Sequence, residues 1–179
     1  MMSGSTCATI AIAVQGGAGG VKVAGRANVA CSVAFRRILE HLREDSVDRI
    51  FVFLEDCLLM DSTFLGVLAK QGVAFSSAAN SRRSRITLVT PSERVLDLIE
   101  NLGVLSEFEV AETGPEIDFV FRDVSLELDC DLRELTKMSL EAHETLIELK
   151  EENRARFEGV TTLLAKDLGV NPPGDKPSS

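Results

Sequence analysis

Hydrophobic and polar positions in the first part of the chain predict two strands followed by an amphipathic helix. Large apolar side chains occupy every second position of residues 7–14, which predicts a strand. A glycine-rich segment, residues 15–20, separates it from a short strand at 21–24 and predicts a hairpin loop. Residues 28–43 have apolar side chains at helical spacing with charged residues between them, which predicts a helix whose N-cap is Asn28.

Strands and helices alternate through the middle of the chain. Residues 48–54 are apolar on both faces, which predicts a central strand covered on both sides, and a loop is expected at 55–60. A helix over 62–79, a strand over 85–89 and a helix over 91–102 follow. Single helices between strands require a largely parallel sheet with right-handed crossovers. The sequence therefore predicts an α/β fold with four to five mainly parallel strands, an antiparallel N-terminal hairpin strand and packed helices.

A long helical pattern follows this α/β part. Mostly apolar residues recur at alternating steps of four and three between positions 128 and 163, with Asn153 at one of these positions and with Ser139 and Arg156 as interruptions. Such a heptad seam predicts a homodimer through this helix, in which Asn153 would set the register. The alternative is a single amphipathic helix, broken near Gly159, that folds back over the sheet face on which Phe51 and Phe53 would otherwise be exposed. We favour the dimer, because the seam is longer than one sheet face requires.

Charge marks the boundary between these two parts. Residues 1–105 carry 11 Lys and Arg against 10 Asp and Glu, whereas residues 106–179 carry 8 against 18. We therefore divide the chain into a domain at 1–112, a linker at 113–125, an acidic helical extension at 126–169 and a disordered tail at 170–179. The net charge of −9 argues against nucleic acid as a partner. The absence of a long apolar run or an N-terminal signal predicts a cytoplasmic protein without direct membrane insertion.

No pattern of catalytic or metal-binding residues is visible in the sequence. The two histidines, His41 and His143, are far apart on the polar faces of predicted helices, where we expect them to be solvated. The glycine-rich segment lacks the Lys-Ser/Thr ending of a phosphate-binding loop, and Ser62 lacks a Gly-x-Ser-x-Gly context. We therefore expect no enzyme activity and no cofactor. Four cysteines without paired spacing are expected to be buried, reduced thiols, namely Cys7, Cys31, Cys57 and Cys130.

One segment does carry a motif: Asp61-Ser62-Thr63-Phe64-Leu65-Gly66 leaves the predicted central strand and opens the next helix. It resembles the Asp-Ser-Ser/Thr-x-Leu-Gly signature of the STAS family of anti-sigma factor antagonists. The resemblance covers about residues 7–112. It implies a STAS fold in which Ser62 is phosphorylated by an anti-sigma factor serine kinase, with Thr63 as the alternative acceptor. Two positions depart from the family pattern, because Phe64 replaces a small residue and Asn28 stands where many kinase-binding members have Asp.

The resemblance also implies a regulatory cycle. The unmodified protein would bind the kinase and free a sigma factor, phosphorylation would release the kinase, and a PP2C-type phosphatase would reset the cycle. The residues expected to form the partner-binding surface are Asn28, Asp61, Ser62, Thr63, Phe64 and Gly66. Since a helix N-terminus tolerates an anion, a phosphate at Ser62 would alter binding without unfolding the domain.

Three alternatives remain open at this point. Ser62 could be only an N-cap of its helix, since a serine hydroxyl can accept hydrogen bonds from free backbone N–H groups. The chain could be a non-switching STAS adaptor, such as a subunit of a lipid-transport ATPase or of a signalling scaffold, because one fold serves both roles. A small-molecule site at the glycine-rich segment is the third alternative.

Overall fold

The computed structural model describes residues 7–45, 47–77, 85–126 and 131–171, so Cys130 and most of the predicted tail lie outside the described residues. The strands are β1 (Thr9–Gln15), β2 (Ala18–Ala27), β3 (Arg49–Phe53), β4 (Cys57–Met60), β5 (Ile86–Val89), β6 (Phe108–Ala111) and β7 (Arg122–Val124). The helices are α1 (Val29–Glu44), α2 (Ser62–Ser77), α3 (Glu93–Asn101), α4 (Leu132–Leu149) and α5 (Arg154–Leu168).

The strands form one seven-stranded sheet in the order β6-β5-β3-β2-β1-β7, and β4 pairs with the end of β2. The pairs β2–β3, β3–β5, β5–β6 and β2–β4 are parallel, whereas β1 is antiparallel to both β2 and β7. The predicted α/β fold with a mainly parallel sheet and an antiparallel N-terminal hairpin is therefore confirmed.

The sheet has more strands than the four to five predicted. β4 lies in the segment predicted as a loop, and it pairs with β2 beyond Gly25, whose φ is +92°. β6 extends the sheet beside β5, and β7 joins β1 inside the range 113–125 that was predicted as a linker. The three extra strands contain only three or four residues each. Segments this short carry only a weak period-two pattern.

The hairpin between β1 and β2 is tighter than the sequence suggested. β2 begins at Ala18, so only Gly16 and Gly17 form the turn, with φ values of +57° and +75°. A two-residue turn with positive φ at both positions matches the twist of an antiparallel pair and favours glycine. The glycine-rich segment is thus a hairpin turn, as predicted.

The two faces of β3 pack against different parts of the chain. Ile50 and Val52 lie in the main hydrophobic core, which also contains Leu39 of α1 and Leu65 of α2. The opposite face bears Phe51 and Phe53, and both faces are therefore apolar, as expected for a central strand.

Three side chains from the connection before β7 cover the second face of β3. We call the five residues together the aromatic cluster: Phe51, Phe53, Ile117, Phe119 and Phe121. The ring centroid of Phe53 lies 5.9 Å from that of Phe119 and 5.4 Å from that of Phe121. The expectation that the C-terminal helix would cover Phe51 and Phe53 is therefore wrong, because these rings are already covered.

The C-terminal extension forms two helices instead of one. The break is the short 3-10 turn Glu151–Asn153, and Gly159, where a break was expected, lies inside α5. The guanidinium of Arg133 near the start of α4 donates to the carbonyl oxygen of Leu168 at the end of α5, over 3.3 Å. The two helices are therefore antiparallel. We call this pair the helical cover, because α4 packs on α2 and α1.

The predicted seam is largely buried within the chain itself. Ala142 and Leu146 lie in the core, whereas Leu132 and Leu163 near the two ends of the pattern are exposed. The side-chain amide of buried Asn153 donates to the carbonyl oxygens of Leu102 and Leu146, at 2.9 and 2.7 Å. Asn153 thus joins the turn of the helical cover to the domain. This burial favours the fold-back alternative over the predicted homodimer, although the helix docks on α1 and α2 and not on the sheet.

Candidate functional site

Asp61 holds the beginnings of α1 and α2 side by side. Its Oδ1 accepts the backbone N–H of Phe64 at 2.8 Å, and its Oδ2 accepts the backbone N–H of Val29 at 2.9 Å. The first turn of each helix has N–H groups without an intrahelical acceptor, and one carboxylate satisfies a group from both helices. Asp61 therefore caps α2 and also binds the first turn of α1.

Asn28 occupies the neighbouring position at the start of α1. Its side-chain oxygen accepts the backbone N–H of Ala30 at 3.1 Å, which makes it the N-cap of α1, as predicted. The thiol sulfur of Cys31 accepts the backbone N–H of Asn28 in return, at 3.3 Å. The replacement of Asp by Asn at this position thus preserves a capping group and removes a negative charge from the surface beside Asp61.

The hydroxyl of Ser62 contacts a histidine from α4 and does not cap α2. Its Oγ lies 2.9 Å from Nε2 of His143, and Nδ1 of His143 lies 2.7 Å from the carbonyl oxygen of Ser139. A carbonyl oxygen can only accept, so Nδ1 carries the proton and Nε2 of the neutral ring is the acceptor. Ser62 therefore donates its hydroxyl proton to His143, and Asp61 performs the capping that was considered for Ser62.

His143 is buried, which contradicts the expectation that it would be solvated. Only 5% of the residue is exposed, and its ring centroid lies 4.9 Å from that of Phe157 in α5. Burial lowers the pKa of His143, and the hydrogen bond to Ser139 and the nearby charge of Asp61 oppose this shift in part. The neutral ring that accepts the hydroxyl proton of Ser62 is thus the form favoured near neutral pH. His41, in contrast, is exposed as predicted.

Two further contacts connect the first turns of α2 to α4. The hydroxyl groups of Thr63 and Ser139 are 3.2 Å apart, and Thr63 is buried. At Gly66 the helices come so close that a Cβ atom would lie 2.7 Å from Cβ of Ala142. Real Cβ atoms are not found at that separation, so the crossing requires glycine at position 66.

Phe64 lies in the hydrophobic core, although it was expected in the partner-binding surface. It is fully buried, and its ring centroid lies 4.4 Å from that of Phe35 in α1. Phe64 can therefore affect a partner only through the position of α2 relative to α1. Of the six residues expected at the surface, the structure brings Asn28, Asp61, Ser62 and Thr63 together around the two helix beginnings.

The distance between Ser62 and His143 is similar to that between a catalytic nucleophile and its base, but the surroundings of the two side chains differ from those of a catalytic site. The group that orients the imidazole is a backbone carbonyl of α4, and the ring lies between the two helices of the cover. The surface cavities described for this structure are lined by other residues, such as Arg133 and Leu140 in one case and Val14 and Val120 in another. The geometry therefore supports a hydrogen bond between elements of the fold and gives no support to acyl transfer.

The described residues also form no site for thiol or metal chemistry. Cys7, Cys31 and Cys57 are free thiols that are wholly or partly buried. Burial raises the pKa of Cys7 to about 12 and that of Cys57 to about 11, so these two thiols stay protonated and unreactive near neutral pH. Among the residues that the structure describes, no group of three His, Cys, Asp or Glu could hold a metal ion. Within the same residues, no helix has the length and apolarity needed to cross a bilayer.

Comparison with known proteins identifies a relative by fold and none by sequence. No protein-family model and no curated protein matches the sequence. The crystal structure of a candidate anti-sigma factor antagonist from Thermotoga maritima matches with a TM-score of 0.51. The two chains are 18% identical, and the match covers 57% of this chain and 85% of the other. This chain therefore has a STAS-like fold.

Sequence reasoning missed three residues of the site: Ser139, Ala142 and His143. They lie at positions i, i+3 and i+4 of α4 and therefore share one helix face. Ser139 and Ala142 belong to the predicted seam, and His143 is the residue directly after Ala142. This combination of small and polar residues at seam positions was the available signal, since small residues permit the close crossing at Gly66.

Proposed function

We propose that this chain is an anti-sigma factor antagonist controlled by phosphorylation of Ser62. In its unmodified form it would bind an anti-sigma factor serine kinase in the cytoplasm, and phosphorylation would release that kinase. A PP2C-type phosphatase would restore the unmodified form. The observation that carries this proposal is the position of Ser62, which opens α2 beside a carboxylate joining the beginnings of two helices in a STAS-like fold.

The geometry around Ser62 suits a switch that changes binding and preserves the fold. A phosphate adds about −1.5 to −2 charges at the helix N-terminus, where backbone N–H groups and the helix dipole tolerate an anion. The same charge would stand next to Asp61 and would enter any surface that a partner had placed over the two helix beginnings. Like charges and added bulk would then weaken that complex.

The direct test is phosphorylation of the purified full-length chain by candidate anti-sigma factor kinases, followed by mapping with mass spectrometry. We expect modification at Ser62 and its loss in Ser62→Ala, whereas Thr63→Val should still be modified. Ser62→Ala should bind the kinase without being released, and Ser62→Asp should bind at least tenfold more weakly. Modification mainly at Thr63, or equal affinities of the Ala and Asp variants, would contradict the proposal.

A non-switching STAS adaptor is the second candidate, and one observation favours it. The hydroxyl of Ser62 is engaged by His143 beneath α4, as expected of a serine whose role is structural. In that case Ser62→Ala and Ser62→Asp should recover the same partners from a pulldown, and those partners should be subunits of a transporter or of a signalling scaffold. Recovery of a kinase by Ser62→Ala alone would exclude the adaptor.

A further inference from the structure

The helical cover lies on the residues that the proposed function assigns to the partner. Ser139, Ala142 and His143 of α4 contact, in order, Thr63, Gly66 and Ser62 of α2. Thr63 is only 6% exposed as a result. While α4 is in place, it occupies the space that a partner helix or loop would need in order to contact Thr63 and Gly66. The described conformation is therefore closed at the candidate site.

Charge complementarity shows what kind of surface α4 covers. Arg36 and Arg37 of α1 face Glu134, at 3.6 and 2.8 Å. Lys70 of α2 faces Glu141 at 2.9 Å. Thus cations flank the crossing at Gly66 on both sides, and the acidic face of α4 satisfies them. The covered surface fits an acidic amphipathic helix that has a small residue at the crossing point.

The contacts that hold α4 at this surface are apolar where its side chains enter the core, and polar around Ser62 and Thr63. The ion pairs are partly exposed, so each contributes little to stability. The contacts at Ser62 and Thr63 are hydrogen bonds between polar side chains, whose net contribution is also modest. At the other end of α4, Asn153 and Lys150 bond to carbonyl oxygens of Leu102 and Asn101. Helix α4 also places Met138, Ala142 and Leu146 in the main hydrophobic core, so a partner that displaces α4 must bury the apolar surface of α1 and α2 in its place.

We propose that the helical cover and the partner compete for one surface, formed by α1 and α2 around Ser62, and that α4 occupies it as an internal substitute for an acidic helix of the partner. This proposal rests on the proposed function, since it concerns the same surface. The closed form buries Thr63 and holds the hydroxyl of Ser62 in a hydrogen bond to His143, and the open form presents both residues. Any reagent that needs this surface therefore acts in proportion to the open population.

A chemical probe tests the cover without any partner. Thr63→Cys places a thiol beneath α4, and its alkylation by iodoacetamide is followed by peptide mapping. A second substitution, Ala142→Glu, should force α4 away and speed alkylation at least tenfold. The matched control is Ala155→Glu, which makes the same change at an exposed position of the cover and should leave the rate unchanged. Equal rates in all three proteins would overturn the proposal.

A gentler variant guards against misfolding of Ala142→Glu. Asn153→Ala removes the two amide hydrogen bonds at the turn of the cover and leaves the crossing at Gly66 intact. We expect faster alkylation at Thr63→Cys and faster amide hydrogen exchange in α4, with unchanged exchange in β3 and β5. Equal acceleration in α4 and in the sheet would mean global unfolding and would also overturn the proposal.

Competition with the partner is tested by locking the cover. The hydroxyl oxygens of Thr63 and Ser139 are 3.2 Å apart, so Thr63→Cys/Ser139→Cys should form a disulfide. With a kinase that modifies Ser62, the oxidised protein should be phosphorylated at least tenfold more slowly than the reduced one. Equal rates would overturn the competition. If no kinase modifies any variant, the proposed function fails, whereas alkylation still decides whether the cover opens.

Discussion

Two surfaces of this molecule are covered by later parts of the chain, and the two coverings differ in chemistry. The aromatic cluster covers one face of β3 through rings, two pairs of which meet edge to face, and the guanidinium of Arg49 lies 5.8 Å from the ring centroid of Phe51. The helical cover contacts α2 through hydroxyl groups, an imidazole and ion pairs around a single close crossing. An apolar cluster loses its contacts on exposure to water, whereas polar groups exchange theirs for water. The first covering is therefore held mainly by apolar contacts, whereas the second combines the core residues Met138, Ala142 and Leu146 with polar contacts that water can replace.

The largest effect should come from the aromatic cluster. Phe119→Ala removes a ring that contacts Phe51, Phe53 and Phe121, and because Phe119 is half-buried the cost should be about 2–3 kcal/mol of unfolding free energy. Val120→Ala is the control, since the neighbouring Val120 is exposed and should tolerate the change. Urea unfolding followed by circular dichroism measures both. If Phe119→Ala unfolded only α4 and left the sheet folded, the proposed difference between the two coverings would be contradicted.

An intermediate effect is expected at the helix crossing. Gly66→Ala introduces a methyl group that collides with Ala142, and overpacking of this kind should cost about 1–2 kcal/mol. Gly159→Ala is a matched control inside α5, where a Cβ atom would meet nothing within 4 Å. That control should stabilise the chain by about 0.5–1 kcal/mol, because alanine favours a helix interior. Hydrogen exchange should locate the damage of Gly66→Ala in α4, and a uniform loss of protection would argue against a separable cover.

The smallest expected effect is the pH dependence of the unfolding free energy that arises from His143, the hydrogen-bond partner of Ser62. Burial lowers the pKa of His143 in the folded chain, so unfolding takes up a proton as the pH falls below the unfolded value of about 6.5. The contribution of neutral His143 to stability is therefore present above that pH and is lost as the pH falls through the folded pKa.

The variant His143→Gln measures this contribution. It should cost about 1 kcal/mol at about pH 7.5, which is the net value of one hydrogen bond. Between about pH 7.5 and about pH 5, wild type should lose more unfolding free energy than His143→Gln. Parallel pH profiles of the two proteins would show that His143 does not titrate on unfolding.

The sequence patterns near Ser62 predicted the strands and helices that carry the candidate site. The helix that covers the site depends on a contact between residues far apart in the sequence. The Asp61–Ser62 segment follows a strand with two apolar faces, so its place at the start of a helix could be derived from the sequence. The partner of Ser62 lies 81 positions further on, and no periodicity specifies which surface an amphipathic helix will meet. The same limit explains why the aromatic cluster was missed, since its covering side chains come from a connection without regular structure.

The break between α4 and α5 was also outside the reach of pattern analysis. Leu146, Leu149 and Asn153 continue the seam through the turn without a change of spacing. The structure explains the break through the hydrogen bonds of Asn153. One of its acceptors is the carbonyl oxygen of Leu102, which belongs to the domain, so the chain turns at Asn153. A heptad pattern thus predicted a buried helix face correctly, and the structure packs that face on α1 and α2.

The short connection between β7 and α4 has a quantitative consequence for any competitor. β7 ends at Val124 and α4 begins at Leu132, so the two elements are covalently joined through few residues. A segment tethered over such a distance acts at an effective concentration on the order of millimolar. A partner present at about micromolar concentration would then need roughly a thousandfold higher intrinsic affinity to occupy the surface half of the time. Weak encounters would be filtered out, and the partner's threshold affinity would be set by the length of a tether.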